Sequence, residues 1–339
     1  MSVNARQLQR SKQIQRRTGR TFHLATRLLP KRTRHATYVL YAFFRVADEV
    51  VDDPNPLPPD QQEARLEYLR EVAIGNRETD DPVVSAFATV RQQHDIDTVD
   101  VHAFIDAMKR DIVEIDGEPH LVAFGNQHDL ERYLRGSAVA VAYMMLAVMA
   151  PTRPAEARPH AKALGEAFQL TNFLRDVRED LEEYGRIYLP ETTLNRYDVD
   201  LDALVAKNAT PGFRAAMHRE MTRAESKYRA GVAGIRYLPH DCQFPVLLAA
   251  VFYAEYHRLI RAQRFDVLSN RPRLTTRRYL TLFVLTGWHW LRTREPETVF
   301  YRVSPVERVR SRSPPQGQER QAGQIGDRIR KSQPFEWLQ

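Results

Sequence analysis

Helix-length blocks separated by prolines run through most of the chain. Apolar residues recur every three or four positions in blocks such as 163–183 and 211–235, which are rich in Ala, Leu, Arg and Glu. Alternating apolar and polar runs, the mark of strands, are scarce. Prolines at Pro30, 54–59, Pro82, Pro119, 151–159, Pro190, Pro211, 239–245, Pro272 and Pro296 divide the blocks. The pattern predicts an all-α chain. No period of solenoid length recurs, so a bundle-like orthogonal array of about ten helices is expected. The longest apolar run, 138–150 (AVAVAYMMLAVMA), has 13 residues. A bilayer span needs roughly 20, so this run reads as a buried helix. After Tyr301 the periodicity is lost and Arg, Ser, Pro and Gln accumulate. Residues 1–301 are thus expected to form one helical domain and 302–339 a basic, poorly ordered tail.

Two blocks carry a second periodicity. In 36–53 (ATYVLYAFFRVADEVVDD), Leu40, Phe43, Phe44, Ala47 and Val51 mark a buried face. Tyr41, Arg45, Asp48 and Asp52 follow one another at intervals of four, three and four, which aligns them on one ridge of that helix. In 164–181 (LGEAFQLTNFLRDVREDL), Ala167, Phe168, Leu170, Leu174, Val177 and Leu181 are the apolar set. Gln169, Asn172, Asp176 and Asp180 form the corresponding ridge at intervals of three, four and four, with Gly165 one turn earlier.

An Asp pair four residues apart, taken alone, reads as a solvated helix face. Arg45 alone reads as an internal ion-pair partner, and Tyr41 alone as a core aromatic. Two such pairs, far apart in sequence and each extended by polar groups in register, point to chemistry. Carboxylates about 6 Å apart repel by roughly 2–3 kcal/mol at an effective dielectric of about 20, and a cation relieves that repulsion. Magnesium takes one or two protein carboxylates and completes its octahedron with water and phosphate oxygens. Two facing pairs would therefore hold a diphosphate, with Arg45 and Arg175 adding charge-assisted bonds. Asp53 and Glu179 are expected to face solvent.

Charge changes one part of this picture. The net charge of +7 suggests nucleic-acid binding, but its distribution opposes it. Residues 1–47 hold eleven Lys/Arg and no carboxylate, and the tail from Arg302 is also basic, which leaves the body between them acidic. The single cysteine, Cys242, permits no intrachain disulfide and no multi-cysteine zinc site. The N-terminus lacks the apolar segment of a secretory signal, so a cytoplasmic protein is expected.

The same residues carry a resemblance. The stretch TFHLATRLLPKRTRHATYVLYAFFRVADEVVDD, with Thr21, Phe22, Arg45, Asp48 and Asp52, resembles the opening signature of the phytoene/squalene synthase family of head-to-head prenyl transferases. LGEAFQLTNFLRDVREDLEEYGRIYLP resembles its second signature through Gln169, Asn172, Arg175, Asp176, Asp180, Arg186 and Tyr188. The similarity runs over roughly residues 8–292. It departs between the signatures: Tyr133 fits, but Arg135 stands where many members have an aromatic, which questions any tyrosine role there.

The resemblance implies the all-α isoprenoid (terpenoid) synthase fold, an orthogonal helical array around a central cavity. It implies Mg²⁺, with Mn²⁺ as a substitute, held by Asp48, Asp52, Asn172, Asp176 and Asp180. Arg45, the same aspartates and Tyr41 would be catalytic; Thr21, Phe22, Arg45, Tyr133, Gln169, Asn172, Arg175 and Tyr188 would contact substrate. The implied reaction joins two geranylgeranyl diphosphates through a cyclopropyl diphosphate to phytoene. The apolar segments 138–150 and 246–252 would suit the lining of a hydrocarbon tunnel, with ordinary core as the plainer reading. Synthesis of squalene or dehydrosqualene from farnesyl diphosphate is the alternative, disfavoured by the motif wording and by the missing C-terminal membrane anchor of eukaryotic squalene synthases. A reading of another class is a non-enzymatic helical protein docking on membranes through its basic ends. The expected partners are two prenyl diphosphates and no nucleic acid, in a monomer or weak oligomer. Segment 279–291 (YLTLFVLTGWHWL) offers peripheral membrane contact through Trp288 and Trp290, against the plainer reading of a packed final helix.

Overall fold

The computed structural model describes residues 3–18, 20–53, 57–112 and 121–308. The expected tail lies outside the described residues from 309 onward. The side chain of Thr21 also lies outside them.

Helices dominate, as the periodicity predicts. The first half contains α1 (Ala5–Thr18), α2 (Arg20–Thr26), α3 (Lys31–Val51), α4 (Pro59–Ile74), α5 (Pro82–Gln93), α6 (Thr98–Lys109) and α7 (Gln127–Leu134). The π-helical segment Arg135–Ala140 joins α7 to α8 (Val141–Met149), and α9 (Pro154–Tyr184) follows. The remainder comprises α10 (Glu191–Arg196), α11 (Leu201–Val205), α12 (Pro211–Val232), α13 (His240–Ala262), α14 (Thr276–Thr293) and α15 (Pro296–Val303). Fifteen α-helices among the described residues exceed the expected ten because short helices fill the connections. The single strand-like pairing among these residues is a parallel bridge between Val122 and Ile187.

Prolines start helices α4, α5, α9, α12 and α15 at their first positions. There a missing N–H costs nothing and the fixed φ is already helical. Asp81 caps α5 by accepting from the amides of Val83 and Val84, Asn126 caps α7 and Thr210 caps α12. Pro159 and Pro245 lie inside α9 and α13 rather than between helices. Both sit near the helix start, where little of the hydrogen-bond ladder is lost. The apolar run 138–150 is helical but not a simple α-helix, since its first part belongs to the π-helical segment. Gly136 explains the tight packing there: a Cβ would come within 2.1 Å of the Ala103 carbonyl on α6.

On α3, Leu40, Phe43 and Ala47 are fully buried, and Phe43 stacks on Phe87 of α5 at 3.8 Å. On α9, Ala167, Leu170, Leu174 and Val177 are buried as expected. These buried faces fix the rotation of α3 and α9, and so aim both polar ridges at one space.

Candidate active site

α3 reaches the site at its C-terminal end. Asp52 is the C-cap rather than a helical residue, its amide donating to the Asp48 carbonyl at 2.9 Å. The Arg45 guanidinium lies 3.9 Å from a carboxylate oxygen of both Asp48 and Asp52, and its Nε is 3.5 Å from Glu49. None of these contacts is a short hydrogen bond, and Arg45 Nε is buried without a hydrogen-bond partner. The guanidinium is thus held between the carboxylates electrostatically and keeps donor capacity for a ligand.

The ridge on α9 is more tightly engaged. Arg175 donates to both oxygens of Asp176, at 2.7 and 2.5 Å, with its guanidinium 4.8 Å from the Tyr256 ring centre. Arg271, from the loop before α14, also binds Asp176 and pairs with Glu179 at 2.5 Å. Asp180 has neither guanidinium as a close partner. Burial, reinforced by Asp176 and Glu179, pushes its carboxyl up to about 8. Burial and the neighbouring Asp52 raise Asp48 to about 7, although 37% of its side-chain surface remains open to the cavity. These acids are surrounded by protein yet have space in front of them. α9 ends on Gly185 in the left-handed region (φ 62), whose amide donates to the Asp180 carbonyl.

Both ridges open into one cavity of about 1050 Å³. Tyr41, Arg45, Asp48 and Asp52 line it from α3, and Gln169, Asn172, Arg175, Asp176 and Asp180 from α9. Phe22, Tyr133 and Tyr188 are also on its wall. Away from the carboxylates the lining turns apolar, with Ala138, Val141 and Met145 on one side and Val246 and Ala249 on α13. Segments 138–150 and 246–252 therefore both contribute wall residues. Gly165 admits the first of them closely: a Cβ there would stand 2.9 Å from the Ala138 carbonyl.

The aromatic residues form a braced wall. Tyr188 stacks on Phe173 at 4.5 Å. The buried Tyr133 hydroxyl donates to Asp111 at 2.8 Å. Arg186 donates to the Asp111 backbone carbonyl at 2.6 Å and lies 3.3 Å from its carboxylate. Burial still raises the Asp111 carboxyl to about 7. The Val122–Ile187 bridge ties this corner to the end of α9. Arg135 lies elsewhere: it pairs with the buried Asp100 at 3.4 Å, beside Arg158, and does not line the cavity. An aromatic at that position would not replace any group of the cavity wall.

The donor set suits a hard divalent cation. Every candidate ligand supplies oxygen, Asn172 Oδ1 is buried without a hydrogen-bond partner, and Asp48 and Asp180 are strained as anions. No three His, Cys, Asp or Glu side chains among the described residues converge into a closed cage. Magnesium fits such an open arrangement because it shares its coordination with water and phosphate.

Two expectations need correction. Glu179 is on the cavity wall and bound to Arg271 rather than facing solvent; it lies one turn after Asp176, so helical spacing carried the signal. Trp290 is buried at 7% exposure, and only Trp288 is outward, at 52%. Asp111 and Arg271 were not anticipated, since each is a lone charge near a helix end or in a loop. Asp53 is exposed, as expected.

Comparison with known proteins agrees with this geometry. The squalene/phytoene synthase family model matches residues 15–278. A 15-cis-phytoene synthase of Synechococcus elongatus is 31% identical over 285 residues, covering 79% of this chain and 88% of its own. A phytoene synthase of Thermus thermophilus is 32% identical over 254 residues, covering 75% and 83% respectively. The crystal structure of a dehydrosqualene synthase in complex with ligand superposes with a TM-score of 0.73 at 29% identity, covering 85% of this chain and 97% of that one. Squalene synthase HpnC from Alicyclobacillus acidocaldarius shares the fold at a TM-score of 0.65 and 23% identity, covering 76% and 94%.

Proposed function

The chain belongs to the squalene/phytoene synthase family, and we propose that it joins two geranylgeranyl diphosphates head to head, through a cyclopropyl diphosphate, to give phytoene. The observation that carries this reading is the convergence of two oxygen-rich ridges on one cavity with an apolar remainder. Its volume of about 1050 Å³ is at the top of the usual range of roughly 300–1,000 Å³ for ligand pockets, which suits two long chains. The names of the relatives from Synechococcus and Thermus support the phytoene product. Membership of an enzyme family displaces the non-enzymatic reading.

Asp48, Asp52, Asn172, Asp176 and Asp180 would hold Mg²⁺, with Mn²⁺ as a substitute. When bound, the ion polarises the diphosphate and takes up the charge of its departure. Arg45 donates to the leaving diphosphate from its place between Asp48 and Asp52. Arg175 orients Asp176 through its two hydrogen bonds. Tyr41, Gln169, Tyr188 and Phe22 line the space the substrates would occupy. Tyr133 stands on the cavity wall with its hydroxyl proton already donated to Asp111. The apolar wall excludes water, so that an allylic cation is attacked by the second substrate's double bond instead of being quenched.

The test supplies geranylgeranyl and farnesyl diphosphate separately with Mg²⁺ and identifies the hydrocarbon by mass. A C₄₀ product is expected; a C₃₀ product alone overturns the choice. The similarity to a solved dehydrosqualene synthase favours farnesyl diphosphate as the second reading. The proposed setting is cytoplasmic, as a monomer or weak oligomer that releases its water-insoluble product by peripheral contact with a membrane. No helix among the described residues is long and apolar enough to cross one.

A further inference from the structure

α14 has two unlike faces. Tyr279, Leu282, Thr286 and Trp290 are buried; Tyr279 meets Phe252 and Trp290 meets Phe244, both of α13. On the opposite side Leu280, Val284, Trp288 and Leu291 are 63%, 57%, 52% and 70% exposed. Their spacing of four, four and three makes one continuous stripe, flanked by the exposed Phe283 and Leu285. Six of the ten large hydrophobics exposed among the described residues are on this helix, while the other four, Leu28, Leu57, Val99 and Val205, come from scattered elements. Such concentration marks an interaction surface rather than ordinary surface composition.

Charge identifies the occupant. Residues 276–293 contain no Asp or Glu, and exposed Arg277 and Arg292 stand at the two ends of the stripe, with Arg273, Arg294 and one exposed acid, Glu295, just beyond. The Arg292 guanidinium lies 3.8 Å from the Trp288 ring centre. A two-fold copy of this face would bring arginines against arginines, with no carboxylate of the helix to receive them. An anionic lipid surface receives the cations in its headgroups and the aliphatic stripe and Trp288 at the acyl boundary.

We propose that the outer face of α14 docks the protein on an anionic bilayer, with the helix lying in the plane of the interface. Tyr279, on the inner face of this helix, lines the cavity, so one helix thickness, about 10 Å, separates the apolar cavity from the lipid. The inference deepens the phytoene-forming reading by naming the surface through which a hydrocarbon product reaches a lipid phase. The docking itself does not depend on which hydrocarbon is made.

Full-length protein is sedimented with vesicles of phosphatidylcholine alone and of phosphatidylcholine with phosphatidylglycerol. The wild type is expected to bind the anionic vesicles. A double variant, Trp288→Ser with Leu291→Ser, is expected to lose about tenfold or more in partition, while its thermal midpoint and its turnover in detergent stay those of the wild type. Arg277→Gln with Arg292→Gln is expected to lose the preference for anionic over neutral vesicles. Unchanged binding by the Ser variant overturns the proposal and assigns docking to the basic termini. Absence of wild-type binding, or a fall from dimer to monomer in the Ser variant on ultracentrifugation, overturns it in favour of a free or self-associating face. Turnover in detergent reads the enzymatic proposal separately, so the two fail independently.

Discussion

Arg271 and Asp176 meet across 95 residues of chain, with Arg271 Nε donating to a carboxylate oxygen at 3.0 Å and Nη2 lying 2.8 Å from the same atom. Because Arg175 already binds both oxygens of Asp176, two guanidiniums share one carboxylate. Asp176 is therefore neutralised, whereas Asp180, one turn later, is left costly as an anion. A diphosphate entering the cavity offers Arg271 a more highly charged partner than Asp176. Arg271→Gln is expected to raise KM for the prenyl diphosphate by about tenfold or more, with a smaller change in kcat. Steady-state kinetics at saturating Mg²⁺ checks this, and an unchanged KM would confine Arg271 to a structural role.

Asp48→Ala and Asp176→Ala are each expected to reduce turnover by about 10² or more, the scale of losing an electrostatic contact to developing charge. The far-ultraviolet circular dichroism spectrum should be that of the wild type. Near-wild-type turnover in either variant would remove the carboxylate pairs from the mechanism.

Three buried acids should cost the chelator-treated protein stability as pH rises. Asp48, Asp111 and Asp180 have folded-state pKa values of about 7, 7 and 8, raised mainly by burial. Below about pH 4 they are protonated in both the folded and unfolded chain. Between there and about pH 8 the unfolded chain releases their protons while the folded chain resists, so stability is lost over that window. Histidines held below their usual range by burial, such as His257, act in the opposite sense in the lower part of this window, so the readout is a difference: in chelator the melting temperature of Asp180→Asn should gain on that of the wild type from pH 5 to pH 8. A difference that does not grow with pH would contradict the assignment.

Arg135→Tyr, which restores an aromatic at this position, should leave product and turnover unchanged because Arg135 faces Asp100 and not the cavity. It should destabilise by about 1–2 kcal/mol, since the buried Asp100 then keeps only the more distant Arg158. Denaturant unfolding alongside product analysis separates the two readouts, and a changed product would place position 135 in the site after all.

What could be read from sequence was whatever helical periodicity encodes. Tyr41, Arg45, Asp48 and Asp52 had to share a ridge if their helix formed, and the apolar residues beside them fixed its direction. The same arithmetic was available for Trp288 and Trp290, because positions two apart on a helix diverge by about 200° and cannot both face outward. Glu179 was equally accessible through its spacing from Asp176. Arg271 and Asp111 were not: their partners lie far away in sequence, and no period connects a loop arginine to a carboxylate on another helix. The π-helical segment was hidden because its apolar sequence is as compatible with an α-helix.

Asp52 caps α3, and Asp180 lies in the last turns of α9 before Gly185. Both acidic ridges therefore end at the negative poles of their helices, where each backbone contributes the equivalent of roughly half an electron charge. Acidic side chains are ordinarily placed at the opposite pole, so this orientation opposes the aspartates and augments their field. The mouth repels a bare anion with its backbone as well as its side chains, and it distinguishes a diphosphate that carries its counter-ions from one that arrives without them.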